Sequence, residues 1–182
     1  MAIRSNHYDA AFEAYLRALR RPYVAIDETR RALLAEASLK SFDFIVYPAS
    51  GANLLVDIKG RRFPSGNGGH CWENWATRDD LICLLQWEQV FGKDFRAVLV
   101  FAYDLQGERW RDLHPAVWEV RQRTDAFYGV WADDFAAAMT RRSAGWDTVS
   151  LPAAEYRRLR LPLDDLLGLA PDAGPHSIRQ TG

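Results

Sequence analysis

The chain of 182 residues sets 23 Lys and Arg against 24 Asp and Glu, a formal charge of −1. With 48% hydrophobic and 26% charged residues it has globular composition, which excludes wholesale disorder. The even balance excludes a global positive field, so any phosphate-binding surface has to be local.

No run of 18 apolar residues exists, and the charged opening MAIRSNHYDAAFEAYLRALRR has no signal-peptide core. The cysteines, Cys71 and Cys83, do not make a disulfide framework and suit a reducing cytosol. The expectation is a cytoplasmic, membrane-free protein: one domain over 1–170 and a frayed tail over 171–182.

Tyr8, Ala11, Phe12, Tyr15, Leu16 and Leu19 make one apolar stripe at helical spacing. Ser5 or Asn6 can cap this helix, and Arg20-Arg21-Pro22 closes it. Tyr23–Ile26 reads as a short strand, and 27–40 is ambiguous between a short helix and an irregular connection. Phe42–Tyr47 and Asn53–Lys59 read as strands joined by the turn-forming Pro48-Ala49-Ser50-Gly51-Ala52. Gly60 to Gly69 reads as a flexible loop with Arg61 and Arg62 at its root. Thr77-Arg78-Asp79-Asp80 resembles a capping box opening a helix through Phe91, ended by Gly92. Phe95–Tyr103 is the most hydrophobic strand and is expected at the sheet centre. Strands through Phe127–Trp131, a helix over Asp133–Arg142, a strand at Trp146–Ser150 and helices at 152–160 and 163–168 complete the reading. The sum is an α/β fold with a mixed β-sheet.

The chemistry concentrates in Asp43 and Asp57-Ile58-Lys59. A hairpin centred on Ser50 opposes residues whose numbers sum to 100, which sets Asp43 across from Asp57 with Cβ atoms about 4.5–5.5 Å apart. Carboxylates so placed repel unless one is protonated or a cation lies between them. Lys59 shares Asp57's strand face, and the Ile58 backbone carbonyl adds an oxygen. Converging hard oxygens suit Mg²⁺, with Mn²⁺ as substitute. Glu13 lies at the margin of the first helix's apolar stripe and can reach over a sheet edge. Plainer alternatives stand beside these: Lys59 pairing one carboxylate on a solvated face, and Glu13 pairing Arg17 at i,i+4.

Glu13, Asp43 and Asp57-Ile58-Lys59, spaced 30 and then 14 residues apart, resemble the PD-(D/E)xK nuclease superfamily, in particular the compact Holliday-junction resolvases. The opening His7-Tyr8-Asp9-Ala10-Ala11-Phe12-Glu13 also resembles the uncharacterised bacterial HYExAFE family, with Asp9 in place of its first Glu. The resemblance implies a restriction-endonuclease-like core and a Mg²⁺-dependent nuclease acting on DNA. Asp43, Asp57, the Ile58 carbonyl and Glu13 would hold the metal. Lys59 would orient and help deprotonate the attacking water and stabilise developing charge. The Pro usual before the first Asp is Phe42 here, and Gln86 matches only half of a Gln-x-x-x-Tyr pattern, since Val90 stands at the Tyr position.

Arg61, Arg62, Trp72 and Trp75 are candidates for nucleic-acid contact, with packing of the loop onto the body as the alternative for the tryptophans. Arg157, Arg158 and Arg160 form a second basic cluster that a solvated helix face would equally explain. His7 and Gln86 are possible accessory residues. His70, Cys71 and Cys83 fall short of a zinc site, and Gly66-Asn67-Gly68-Gly69 lacks the Lys-Ser/Thr of a P-loop. The different-class alternative is a non-catalytic nuclease-fold module binding nucleic acid or protein, which the near-neutral charge favours. A homodimer pairing two sites is expected, with Trp110, Trp118 and Trp131 as the interface.

Overall fold

A computed structural model describes residues 6–27, 32–34, 37–65, 72–120, 122–143, 145–169 and 176–179. Helix α1 (His7–Ala18) leads to strands β1 (Tyr23–Ala25), β2 (Ala32–Leu34), β3 (Ala37–Leu39), β4 (Phe44–Val46), β5 (Asn53–Phe63) and β6 (Trp75–Thr77). Helix α2 (Arg78–Phe91), β7 (Phe95–Leu105), a 3₁₀ turn at Glu108–Leu113, β8 (Ala116–Val120) and β9 (Arg123–Trp131) follow. Then come α3 (Ala132–Ala138), β10 (Thr140–Ser143), β11 (Thr148–Ser150), α4 (Ala153–Leu159), β12 (Leu161–Pro162), α5 (Leu163–Leu166) and β13 (His176–Arg179).

The main sheet runs β1-β4-β5-β7-β9-β8-β13, with β12 also on β9. It is mixed: β5 and β7 are parallel, while β4–β5 and β7–β9 are antiparallel. β7 lies at its centre, as its nearly continuous apolar run requires. Alternation along β5 and β7 makes two cores. Leu54, Val56, Ile58, Val98 and Val100 meet Phe12, Tyr15 and Leu16 of α1 on one face. Leu55, Leu99, Phe101 and Tyr103 meet Leu81 and Leu84 of α2, Phe135 of α3 and Tyr156 of α4 on the other.

The helix ends follow local chemistry. Asn6 accepts from the Tyr8 N–H at the start of α1, and Thr77 Oγ1 accepts from the Asp80 N–H at 3.1 Å to open α2, which Gly92 closes at φ 84°. The hairpin register is Phe44↔Val56, Ile45↔Leu55 and Val46↔Leu54, so opposed numbers sum as the turn at Ser50 predicts.

Three segments differ from the sequence reading. Strand β5 does not stop at Lys59 but continues to Phe63, because β7 carries a parallel ladder from Asn53↔Phe95 to Phe63↔Leu105. The segment expected to be a helix to Arg142 turns at Met139 into β10, which pairs with β11. Within 27–40, β2 and β3 form a small antiparallel pair. Of the region past Pro171, His176–Arg179 is described and runs parallel to β8. No helix among the described residues is long and apolar enough to cross a membrane.

Gly60 lies flat beneath the ring of Tyr8, and a Cβ there would fall inside that ring. Gly60→Ala is therefore expected to lower stability by about 2 kcal/mol through overpacking. Adding Tyr8→Ala should recover part of this in a double-mutant cycle. An unchanged urea midpoint for Gly60→Ala would refute the contact.

Candidate active site on the α2 face of the sheet

Asp43 sits just before β4, buried, where the backbone is held on both sides. Its N–H donates to the Val56 carbonyl and its carbonyl accepts from the Ile26 N–H, each at 2.9 Å. Its carboxylate Oδ2 accepts from the Ile58 N–H at 2.5 Å. Asp43 is thus tied to the strand segment that carries Asp57 and Lys59.

The Lys59 ammonium lies 2.7 Å from Asp57 Oδ2 and 2.9 Å from Asp80 Oδ2. Burial opposes its charge, but the two carboxylates outweigh burial and raise its pKa above the ordinary lysine value. Asp80 stands in the first turn of α2, where the helix dipole favours an anion. Burial works against its ionisation, yet Lys59, the cap hydroxyl of Thr77 and Lys40 together hold its pKa down to about 2. Lys40 closes the outer side, 2.7 Å from Asp79 and 3.1 Å from Asp80.

Sequence reading missed Asp80 and Lys40 as members of this cluster. The capping signal at Thr77 marked where α2 starts, but only the packing of α2 on β5 brings that turn to Lys59. Lys59 is an ammonium clamped by two carboxylates, so it can stabilise negative charge but cannot accept a proton as it stands.

Glu13 is not brought to Asp57 and Lys59. It accepts from Arg17 Nη2 at 2.7 Å and from the Tyr23 hydroxyl at 2.8 Å, on the α1 face of the sheet. The plainer reading of Glu13, its pair with Arg17, is therefore present, while Lys59 pairs two carboxylates in a largely buried cluster rather than one on a solvated face. His7 is also on the α1 face, 3.2 Å from Asp125. Gln86 is exposed on α2 and Arg62 is exposed on β5.

Arg61 is buried rather than presented to solvent. Its guanidinium donates to the Gly60 and Trp75 carbonyls and stacks 3.9 Å over the Trp75 ring, leaving a buried Nε with no hydrogen-bond partner among the described residues. Trp72 is partly buried among Phe63, Tyr103 and His114. Trp118 is 1% exposed and packs against Tyr15, so it has no surface to give a dimer. His70, Cys71 and Gly66 to Gly69 lie outside the described residues.

The chain is similar in fold to Hjc, a Holliday junction resolvase of Archaeoglobus fulgidus. The TM-score is 0.52 at 11% identity, over 89% of this chain and 93% of that one. The fold is restriction-endonuclease-like. No family model and no curated protein matches the chain, so the likeness of the opening segment to the HYExAFE family has no support. In a restriction-endonuclease-like sheet built this way, Asp43, Asp57 and Lys59 gather on the α2 face where β4 meets β5. Among the described residues no three His, Cys, Asp or Glu side chains form a ready metal cluster. The donor chemistry still fits a hard divalent cation in part. Asp57 stands on β5, Asp43 just before β4 is tied to that strand through the Ile58 N–H, and the Ile58 carbonyl supplies a further oxygen, with water left to complete the shell.

Proposed function

We propose that this chain is a divalent-metal-dependent nuclease acting on DNA, with its site at Asp43, Asp57 and Lys59. The observation that carries the reading is the joint placement of these three residues at the β4–β5 junction of a restriction-endonuclease-like sheet. Asp43, Asp57 and the Ile58 carbonyl would hold Mg²⁺ or Mn²⁺. A bound divalent ion supplies a lowered water pKa and screening of phosphate charge. Lys59 contributes a fixed positive charge toward a phosphodiester whose oxygens gain negative charge in the transition state. Asp80 holds that ammonium in place from behind. A homodimer, in which two sites address two strands, and a cytosolic setting belong to the same reading.

The test is cleavage of a labelled panel of single strands, duplexes, flaps and four-way junctions with Mg²⁺ or Mn²⁺. Cleavage is expected to need the metal and to fall at least 100-fold in Asp57→Asn, a loss on the scale of a removed charge-stabilising group. Metal-independent cutting, or full activity in Asp57→Asn, would overturn the assignment.

A second reading has its own observation. Glu13 is occupied by Arg17 and Tyr23, and Lys59 by two carboxylates, as in a nuclease-fold module used for binding alone. Calorimetry separates the two. Mn²⁺ binding lost in Asp57→Asn supports the enzyme, and absent binding together with an uncut panel supports the module.

A further inference from the structure

Beyond the carboxylate site, the structure contains a cavity of about 570 Å³ between the β6 and α4 regions. Trp72, Trp75 and Tyr156 give it aromatic walls, and Arg142, Arg157 and Arg160 line it with positive charge. This volume lies within the range of small-molecule sites. Glu73 is the acidic residue of the lining, and Arg142 pairs with it at 3.4 Å. Neither Arg157 nor Arg160 has a carboxylate partner among the described residues.

The arginines are layered on aromatic rings. The Arg160 guanidinium lies 3.8 Å over Trp72 and also faces Tyr128 and Tyr156, at 5.1 and 5.6 Å. Stacking holds the planar fork while leaving its N–H edges to donate, an arrangement suited to paired oxygens of a phosphate. A half-buried guanidinium caged by three rings and matched to no acid among the described residues has a place for an anion.

The cavity is also built firmly. Asn74 donates to the Leu151 carbonyl at 3.2 Å and accepts from its N–H at 2.8 Å, and so joins β6 to the start of α4. The Tyr103 hydroxyl donates to Tyr156 at 2.8 Å beneath. Finally, Arg61, stacked on Trp75, follows Lys59 by two residues on the same strand face, a step of about 7 Å. The cavity thus adjoins the carboxylate site.

We propose that this cavity binds a phosphorylated nucleotide, with its phosphate on Arg157 and Arg160 and its base among the aromatic walls. The choice of a nucleotide over another phosphorylated molecule rests on the DNA-acting reading of the neighbouring site. The source is either a free mononucleotide or the 5′-phosphorylated end of a DNA strand, since both present the same chemistry.

The experiment is calorimetric titration of the full chain in EDTA. The probes are thymidine 5′-monophosphate, thymidine, and oligothymidylates with and without a 5′-phosphate. Thymidine 5′-monophosphate is expected to bind at least 10-fold more tightly than thymidine. Arg157→Gln and Arg160→Gln should each weaken that binding at least 10-fold. A further gain on the 5′-phosphorylated oligomer over its 5′-hydroxyl form identifies a strand end, and no gain identifies the free nucleotide. Failure of the monophosphate and both oligomers to bind at millimolar concentration would overturn the proposal. So would undiminished binding in both arginine variants. If Arg160→Gln unfolds, the exposed Arg157→Gln decides alone. Because binding is read without metal, the cavity can succeed while the cleavage reading fails, and the reverse.

Discussion

Replacing Lys59 with Met is expected to lower the free energy of unfolding by about 3 kcal/mol at pH 7 in metal-free buffer. The ammonium and its partners are poorly hydrated: the side chains of Lys59, Asp57 and Asp80 are 15%, 13% and 20% exposed. Removing the cation leaves two carboxylates facing each other with little water, and a buried charge without its partner costs more than the pair itself gained. Lys40 still reaches Asp80 at 3.1 Å and offsets part of the loss there. Adding Asp57→Asn to the Met variant should restore at least half of the lost stability, and Lys59→Arg should keep most of it. A loss below about 1 kcal/mol, the scale of an exposed ion pair, would mean that the cluster is solvated like a surface. Lys59 also props the β5–α2 contact, so lost cleavage in a Lys59 truncation would not by itself assign a chemical role. That is why Asp57→Asn is the variant that tests the nuclease reading.

The hairpin carrying Asp43 and Asp57 was legible because a loop centred on Ser50 leaves one register that buries Phe44, Val46, Leu54 and Val56 together on the α1 face. The bounds of α2 were legible for a local reason as well, since Thr77 and Gly92 act within a turn of themselves. What failed depended on distant chain. Gly60-Arg61-Arg62 has the composition of a loop, and only the ladder to β7 makes it strand, with Phe63 fully buried at its end. Thr140 to Ser143 prolongs a helical pattern locally, but β11 offers it a strand partner. Within the site, Asp43, Asp57 and Lys59 came from spacing on one hairpin. Asp80 reaches Lys59 across 21 residues, and no pattern of periodicity encodes that approach. Glu13 shows the converse: its i,i+4 partner Arg17 was visible in the sequence, and this pairing is the one the fold adopts.

Replacing Asp125 with Asn is expected to stabilise the protein by about 2 kcal/mol near pH 7.5 and to change it little near pH 4. Asp125 is 0% exposed, and its Cα partner across β7 and β9 is Asp104, so two carboxylates share one face of the sheet. Its Oδ1 lies 3.2 Å from His7 Nε2, while its buried Oδ2 has no hydrogen-bond partner among the described residues. Burial pushes its pKa up to about 6, His7 and Arg123 oppose that shift, and Asp104 adds to it. Tyr8 stands against the same two carboxylates with Arg62 nearby. The unfolded chain releases this proton near the ordinary aspartate value, but the folded chain keeps it until about pH 6. Stability associated with the protonated form is therefore complete below about pH 4 and is lost as pH rises through about 6. Asn keeps an oxygen for His7 and replaces the ionisable oxygen with an uncharged N–H₂ group, so the pH-dependent loss should disappear. For a chain of this length the gain corresponds to a rise in Tm of about 4–8 °C at pH 7.5. If Asp125→Asn is instead less stable at every pH, the ionised carboxylate is a native requirement. His7 or a bound cation would then be its partner, in a second site on the α1 face.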